Sequence, residues 1–566
     1  MNQKSIFSTK FKIQKDKKLP NIVFIVVESL SSDFIGNHAD QTGNVMPFLD
    51  SLSNYSLYFP NFISTCHRTF NVLPASLASV PNSTDGAITT TNDFTPQMSL
   101  QMLLNSSYKT RFYCGVDLSF TNMNGYMNNL GTNYLVNKWN KKYDIPFSKR
   151  SNPWGYPDGY IFSKSWEDFR NQKLSYKPRF DVFLTISTHD PFVFPKESYY
   201  LKKAAELGKS KKIPKTLFKQ LYSNPYLMAS FAYTDDALKS YFERAKKMPE
   251  FENTIFFIYG DHGTPLYSRT PLSRYNVPLV VYSPLLKKPE QIKSVNSHLD
   301  LAPTLLNFLK TNYGFKFPSD VTFIGKEFEM GNKFTSNRTM ALLSMSGKNE
   351  SFLDQNQILL QNQLFKILPD LKVKKVKSKN KTKHLQKQIR LYDLMSKYCF
   401  NQNKIIPEYL FQKISPKHSV GTHYSGKFKL LKHIENKKEI KSKDEYLIIS
   451  EPITLKNPIK RLRIKCQMDY LLEDENSYSS MMRLTAALQN ITKDSTELIF
   501  WESSREPTLL SAFKKSKYNT IVYYVDINID KNKKIKKNNK LTFYFSNSNL
   551  LEMKVKNMKT EIFVVE

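Results

Sequence analysis

Apolar residues along this chain fall into two textures. In the first, unbroken β-branched and aromatic runs are bounded by turn residues. Residues 22–27 (Ile-Val-Phe-Ile-Val-Val), preceded by Pro20 and ended by Glu28-Ser29, read as a fully buried strand. Runs of the same kind recur at residues 180–186, 254–259 and 277–282, and residues 46–53, 73–79, 228–246 and 301–309 between them carry apolar positions at helical spacing. Strands buried on both faces and alternating with amphipathic helices predict an α/β domain. Its sheet is mixed and mostly parallel, with helices on both faces, and its chemistry gathers at the carboxyl ends of the strands.

From about residue 440 the texture changes. Short runs at residues 446–449, 459–466, 497–501, 520–527, 541–545 and 561–565, separated by Asn, Lys and Ser turns, predict a C-terminal antiparallel β-sandwich. Between the two textures, residues 372–390 hold nine Lys/Arg in nineteen positions. Such a run reads first as a solvated loop or helix face and second as a membrane-facing patch. The resulting division is a basic N-terminal segment (1–19), a catalytic α/β domain (20–370), a basic extension (371–439) and a β-sandwich (440–566).

Composition narrows the classes. Hydrophobic residues at 40% exclude disorder of the whole chain. With 83 Lys+Arg against 50 Asp+Glu the net charge is +33, which favours anionic partners or reflects a lysine-rich composition alone. No zinc-finger, KH or RRM signature accompanies that charge, so nucleic acid is not an expected partner. Cys66, Cys114, Cys399 and Cys466 form no CxxC pair, and hence neither a disulfide scaffold nor a zinc site. No run approaches the roughly 20 apolar residues of a membrane span, and residues 1–18 lack the apolar stretch of a signal peptide.

Three places carry chemistry. Glu28 follows the first buried strand, where a carboxylate either closes the strand or faces a metal at its carboxyl end. Residues 258–263 (Ile-Tyr-Gly-Asp-His-Gly) deliver Asp261 and His262 from a strand between two glycines. Oxygen and imidazole nitrogen together suit a borderline divalent ion such as Mn²⁺ or Zn²⁺, and the glycines let the backbone turn sharply. Thr69, in Cys66-His67-Arg68-Thr69-Phe70-Asn71, precedes helical spacing. It reads as a helix cap or as a hydroxyl nucleophile activated by a divalent ion, with Arg68 beside it to neutralise a phosphate oxygen.

Taken in order, residues 21–29 (Asn-Ile-Val-Phe-Ile-Val-Val-Glu-Ser), Met46-Pro47-Phe48-Leu49-Asp50, Arg68-Thr69 and Gly260-Asp261-His262-Gly263 resemble the catalytic domain of lipoteichoic acid synthase-type phosphoglycerol transferases. That group lies within the sulfatase-like family of the alkaline phosphatase superfamily. The similarity covers roughly residues 20–330 and extends to Gly115-Val116-Asp117-Leu118, Trp154-Gly155-Tyr156-Pro157-Asp158, Ser187-Thr188-His189-Asp190-Pro191-Phe192 and Ser297-His298-Leu299-Asp300-Leu301-Ala302-Pro303-Thr304.

The resemblance implies Glu28, Thr69, Asp261 and His262 as ligands of one divalent ion, Mn²⁺ first with Zn²⁺ or Mg²⁺ as alternatives. It implies Thr69 as nucleophile, and Arg68, His189 and Trp154 on the substrate side. The activity implied is transfer of a phosphoglycerol or phosphoethanolamine head group from a phosphodiester through a threonine ester. Alternatives are phosphodiester or sulfate-ester hydrolysis at the same site, or a non-catalytic polyanion-binding module. The implied partners are a phospholipid or other phosphodiester donor, a glycan or glycolipid acceptor and a peripheral membrane contact, at the cell envelope. His298 is read first with Asp300 and Pro303 as part of a helix start and second as a metal or substrate group, and His38 and His67 as structural. Two departures stand out. The residues after Cys66 do not follow the Cys/Ser-x-Pro-x-Arg pattern of sulfatases, so a formylglycine nucleophile is not expected. The synthases also carry membrane helices ahead of this domain, and no such run occurs here.

Overall fold

The computed structural model describes residues 5–80, 99–136, 155–171, 177–344 and 349–401, apart from residues 15, 17, 117, 119–122, 212, 214, 265 and 318–322. Beyond these it describes residues 428–442, 446–448, 452–454, 461–472, 483–491, 496–503, 508–509, 517–528, 540–546 and 553–565. The chain forms two compact units, the first ending at Cys399 and the second holding Phe400–Glu566.

The first unit is built on one sheet of β1 (Asn21–Val27), β2 (Leu57–Ile63), β3 (Lys109–Cys114), β4 (Tyr134–Leu135), β5 (Arg179–Leu184), β6 (Thr254–Gly260), β7 (Asn276–Tyr282), β8 (Glu290–Gln291) and β9 (Asn296–Ser297). Its order is β4-β3-β5-β1-β6-β7-β2-β8, with β9 also on β2. Pairing is parallel from β4 through to β6, antiparallel on both sides of β7, and parallel again where β8 and β9 meet β2. This is the mixed, mostly parallel sheet that the buried runs predict.

Alternation along β1 shows why those runs are continuous. Val23, Ile25 and Val27 pack into a core shared with the helix Pro225–Ala245. Phe24 points the other way, 5.0 Å from Phe257 and 5.2 Å from Phe180. On that second face Phe7 and Phe11, buried near the N-terminus, meet Phe308 of the helix Leu301–Tyr313 at 5.7 and 5.0 Å. Both faces are therefore covered by helices, and a strand between them has no polar side to show.

Thr339–Leu343, Asn349–Asp354, Gln357–Leu360, Gln363–Ile367 and Val373–Lys375 form a separate antiparallel meander. The helix Lys379–Asn401 lies on it through Leu385, Ile389 and Tyr392, which join Phe352, Leu359 and Leu364 in a small core. Lys379, Lys383, Lys387 and Arg390 are left exposed, so much of the basic run is a solvated helix face.

In the second unit, strands including Arg461–Leu472, Lys517–Asn528 and Met553–Val565 form one antiparallel sheet, and Arg483–Ile491, Thr496–Ser503 and Lys540–Ser546 belong to another. Ile464, Cys466, Tyr523 and Val525 of the first share one buried cluster with Leu484, Ala486, Phe543 and Phe545 of the second. Two antiparallel sheets enclosing one core are the sandwich expected here.

Candidate active site

β1 and β6 are parallel neighbours in register, with Val27 opposite Gly260, so Glu28 and Asp261 leave the sheet side by side. The Asp261 amide donates to Val27 O at 3.2 Å. Ser29, in the left-handed region at φ 56°, donates its amide to Asp261 Oδ1 at 2.7 Å, and the His262 amide donates to the same oxygen at 2.6 Å. Asp261 Oδ2 is buried without a hydrogen-bond partner. His262 Nε2 lies 3.5 Å from that oxygen and 3.6 Å from Glu28 Oε1. Glu28 and Asp261 are 0% exposed and His262 7%, with ligand atoms of all three within 4.8 Å of one another.

These donors fit a divalent cation. His262 Nδ1 faces Gly263 O at 3.2 Å, and a carbonyl can only accept, so this partner places the ring proton on Nδ1 and turns the Nε2 lone pair toward the carboxylates. Burial, followed by the Glu28 charge, holds Asp261 well above the usual carboxylate range. Burial would also raise Glu28, but His262, His189 and the hydroxyls of Thr69 and Ser29 outweigh it and hold it low. Two dry carboxylates sharing one space, one of them with an orphaned oxygen, form an arrangement that a cation completes.

Thr69 opens the 3-10 helix Thr69–Asn71, which runs into the helix Val72–Ala78. Its Oγ1 donates to Glu28 Oε2 at 2.7 Å and lies 3.5 Å from His262 Nε2. The loop before it is pinned: Cys66 bridges to Leu343 at the edge of the meander, and the Leu343 amide donates to Thr65 O at 3.0 Å. Arg68 is half-buried and extended just ahead of Thr69. His189 is half-buried in the turn after β5, close enough for its charge to depress Glu28. Trp154 lies outside the described residues; Gly155 beside it bridges to Val116.

His298, His67 and His38 stay out of the cluster. His298 donates Nε2–H to Gly260 O at 2.9 Å and sits 5.4 Å from the rings of both Phe62 and Tyr259, with burial lowering its pKa to about 3. Ser297 and Asp300 beside it form a capping box at the start of the 3-10 turn that leads into the helix Leu301–Tyr313. His67 packs against Tyr275 with ring centroids 3.9 Å apart and is likewise pushed down to about 3 by burial. His38 is shifted down, again mainly by burial. Cys66 is 0% exposed and burial pushes its thiol up to about 12, so it offers no thiolate nucleophile.

Both glycines around Asp261-His262 are sterically required. A Cβ on Gly260 would meet Leu30 O at 2.2 Å, and one on Gly263 would meet Ser273 O at 2.5 Å. Gly260→Ala is expected to cost about 1–3 kcal/mol, the usual range for overpacking a fixed backbone. The chemical-denaturation midpoint measures it, and an unchanged midpoint would refute the tight approach. Sequence reasoning did not find Thr185 and Thr188. Thr185 Oγ1 accepts from the Glu28 amide at 3.0 Å, and Thr188 Oγ1 donates to Glu28 O at 2.5 Å. Their only sequence signal is position, on and just before the His189 segment.

A sulfatase family model matches residues 20–311, a stretch that holds every site residue named above. The lipoteichoic acid synthase-like protein YvgJ of Bacillus subtilis is 21% identical over 379 residues, covering 62% of this chain and 55% of that protein. An ulvan-active sulfatase of Formosa agariphila is 24% identical over 345 residues, covering 51% of this chain and 52% of that protein. The chain thus spans about half the length of these curated relatives. The solved lipoteichoic acid synthase LtaP of Listeria monocytogenes shares the fold, with a TM-score of 0.52 at 18% identity over 70% of this chain and 97% of that one. Among the described residues no helix is long and apolar enough to cross a membrane. With just over half of its length matched by the family model, the chain belongs to the sulfatase family of enzymes.

Proposed function

We propose that this chain transfers a phospho-alcohol head group from a phosphodiester to an acceptor alcohol through an ester on Thr69. The observation that carries the reading is the half-buried Thr69 hydroxyl, 2.7 Å from Glu28 Oε2 at the edge of the buried Glu28, Asp261 and His262 cluster. A divalent cation held by Glu28, Thr69, Asp261 and His262, Mn²⁺ by preference, would supply Lewis acidity and lower the pKa of the hydroxyl.

The residues divide the work as follows. Thr69 passes its proton to Glu28 Oε2, breaking the Oγ1–H bond as Oγ1 attacks phosphorus. The Oγ1–P bond forms and the P–O bond to the leaving alcohol breaks, with His189 delivering the proton to that oxygen. Arg68 offsets charge on the phosphoryl oxygens. In the second half an acceptor hydroxyl attacks, its proton passes to His189, the Oγ1–P bond breaks, and Glu28 Oε2 returns the proton to Oγ1 to restore Thr69. The donor class is a phospholipid of the phosphatidylglycerol or phosphatidylethanolamine kind, and the acceptor a glycolipid or growing glycan polymer. Both are taken from the family resemblance, and the basic surface is compatible with an anionic membrane.

The test is intact mass of the full chain after incubation with Mn²⁺ and phosphatidylglycerol or phosphatidylethanolamine, quenched in acid, beside Thr69→Ala. A phosphoglycerol or phosphoethanolamine adduct on the parent alone is expected. The similarity to a sulfatase supports a second reading, hydrolysis at the same site. Cleavage that needs Thr69 but leaves no adduct and uses no acceptor would favour it. Neither adduct nor cleavage would overturn both.

A further inference from the structure

The chain leaving β5 is tied down on two sides. Toward β1, the Thr185 amide donates to Val26 O at 3.0 Å, and Thr185 and Thr188 hold the Glu28 backbone as described above. On the other side stands Asp158, the first residue of the helix Asp158–Asn171. Its Oδ1 accepts from the amides of Ile186 at 2.8 Å and Ser187 at 3.0 Å, and its Oδ2 accepts from Thr234 Oγ1 at 2.7 Å. Its own amide donates to Ser187 Oγ at 3.0 Å. His189 closes the turn by donating its amide to Ile186 O at 3.0 Å.

Asp158 is 0% exposed, and among the described residues no Lys or Arg is paired with it. A buried carboxylate without a cation is costly unless hydrogen bonds saturate it. A helix start needs no such group, because a Ser or Asn cap closes it without burying a charge. Here the carboxylate instead gathers donors from two other segments, the turn after β5 and the helix Pro225–Ala245. We infer that Asp158 is a positioning residue: it clamps the 186–189 turn against Glu28 and so sets His189 toward the site. For its kinetic consequence the inference rests on the proposed role of His189; for the clamp itself it does not.

The test uses the full chain with Asp158→Ala, Asp158→Asn, His189→Ala and the Asp158→Ala/His189→Ala double variant. Amide hydrogen exchange by mass spectrometry reads the clamp, and kcat and KM on a soluble chromogenic phosphodiester read its consequence. Loss of the acceptor is expected to speed exchange over residues 184–190 by about tenfold or more in Asp158→Ala, with β1 and β6 unchanged. Asp158→Asn keeps an acceptor for both amides and can donate to Thr234 Oγ1, so its exchange should stay within about threefold of the parent. In kcat, Asp158→Ala should lose about 10- to 100-fold, as His189→Ala does, and the double variant should lose no more than His189→Ala. Unchanged exchange at 184–190 would overturn the inference. So would protection lost across every peptide, which marks a general core role, or losses in kcat that multiply. If the parent turns over no diester, the exchange result still decides the clamp, and only the proposed function fails.

Discussion

Thr69→Ala is expected to lower kcat/KM for phosphodiester turnover by about 10⁴-fold or more, the scale seen when a covalent nucleophile is removed. The substitution deletes the atom that would carry the ester and the hydrogen bond of 2.7 Å to Glu28 Oε2, while Glu28 Oε1 keeps the Ser29 hydroxyl at 2.8 Å. Thr69 is half-buried at the start of a short turn, so the fold should change little, with stability held within about 1 kcal/mol. Thr69→Ser separates the hydroxyl from its orientation. It retains Oγ but loses the methyl that restricts χ1, and about a 10- to 100-fold loss is expected with the adduct still visible. Steady-state kinetics and intact mass together check this. A Thr69→Ala variant within tenfold of the parent would leave water as the attacking group and remove the ester from the mechanism.

How much of this was legible in the chain depends on where each residue's partners lie. Runs at 22–27, 180–186, 254–259 and 277–282 lie within two residues of β1, β5, β6 and β7, because strands buried on both faces need no polar side. β2 and β3 escape that reading for separate reasons. Pro60 and Asn61 interrupt β2 where its register with β7 shifts, so the proline costs no ladder bond there. β3 carries Arg111 inward, where the Asp181 carboxylate on β5 accepts from it at 2.6 and 2.9 Å. A charge neutralised 70 residues away looks like a surface residue in sequence. The meander is hidden by its turns: Gln361 and Asn362 both adopt positive φ, as a type I′ turn requires, without the Asn-Gly that would announce it.

The site divides in the same way. Glu28 and Asp261-His262 stand out because strand ends are marked in sequence, and the parallel register that brings them together follows from the sheet. Ser29, Thr185, Thr188 and Asp158 do not, since each acts through a backbone amide, carbonyl or side chain that only the folded chain brings near. The Thr185 and Thr188 bonds to Glu28 span 157 and 160 residues. Motif reading finds the candidate metal and nucleophile groups, and the groups that hold them still become visible with the hydrogen bonds.

Asp261→Asn is expected to abolish metal-dependent stabilisation and yet make the metal-free chain more stable. In the parent without metal, Glu28 and Asp261 are both fully buried, and Asp261 Oδ2 has no hydrogen-bond partner. An Asn there keeps Oδ1 for the Ser29 and His262 amides. It also offers Glu28 an N–H at every pH, whereas Asp261 can offer a donor only by taking up a proton, which should raise metal-free stability at neutral pH by about 1–2 kcal/mol. The parent should gain about 4 kcal/mol at a Mn²⁺ concentration near a thousand times Kd, and the variant almost none. The pH dependence has a definite sign. Asp261 is held above its unfolded pKa in the metal-free chain, so its contribution to stability is full below the unfolded value and is lost as pH rises through the folded one. Metal uptake must release that proton, so affinity weakens as pH falls. Thermal unfolding in EDTA and in MnCl₂, across pH, measures all three effects. A variant that is less stable than the parent in EDTA would show that the buried Asp261 carboxyl carries no such cost. One that keeps the full Mn²⁺ shift would remove Asp261 from the ligand set and move the cation onto Glu28, Thr69 and His262.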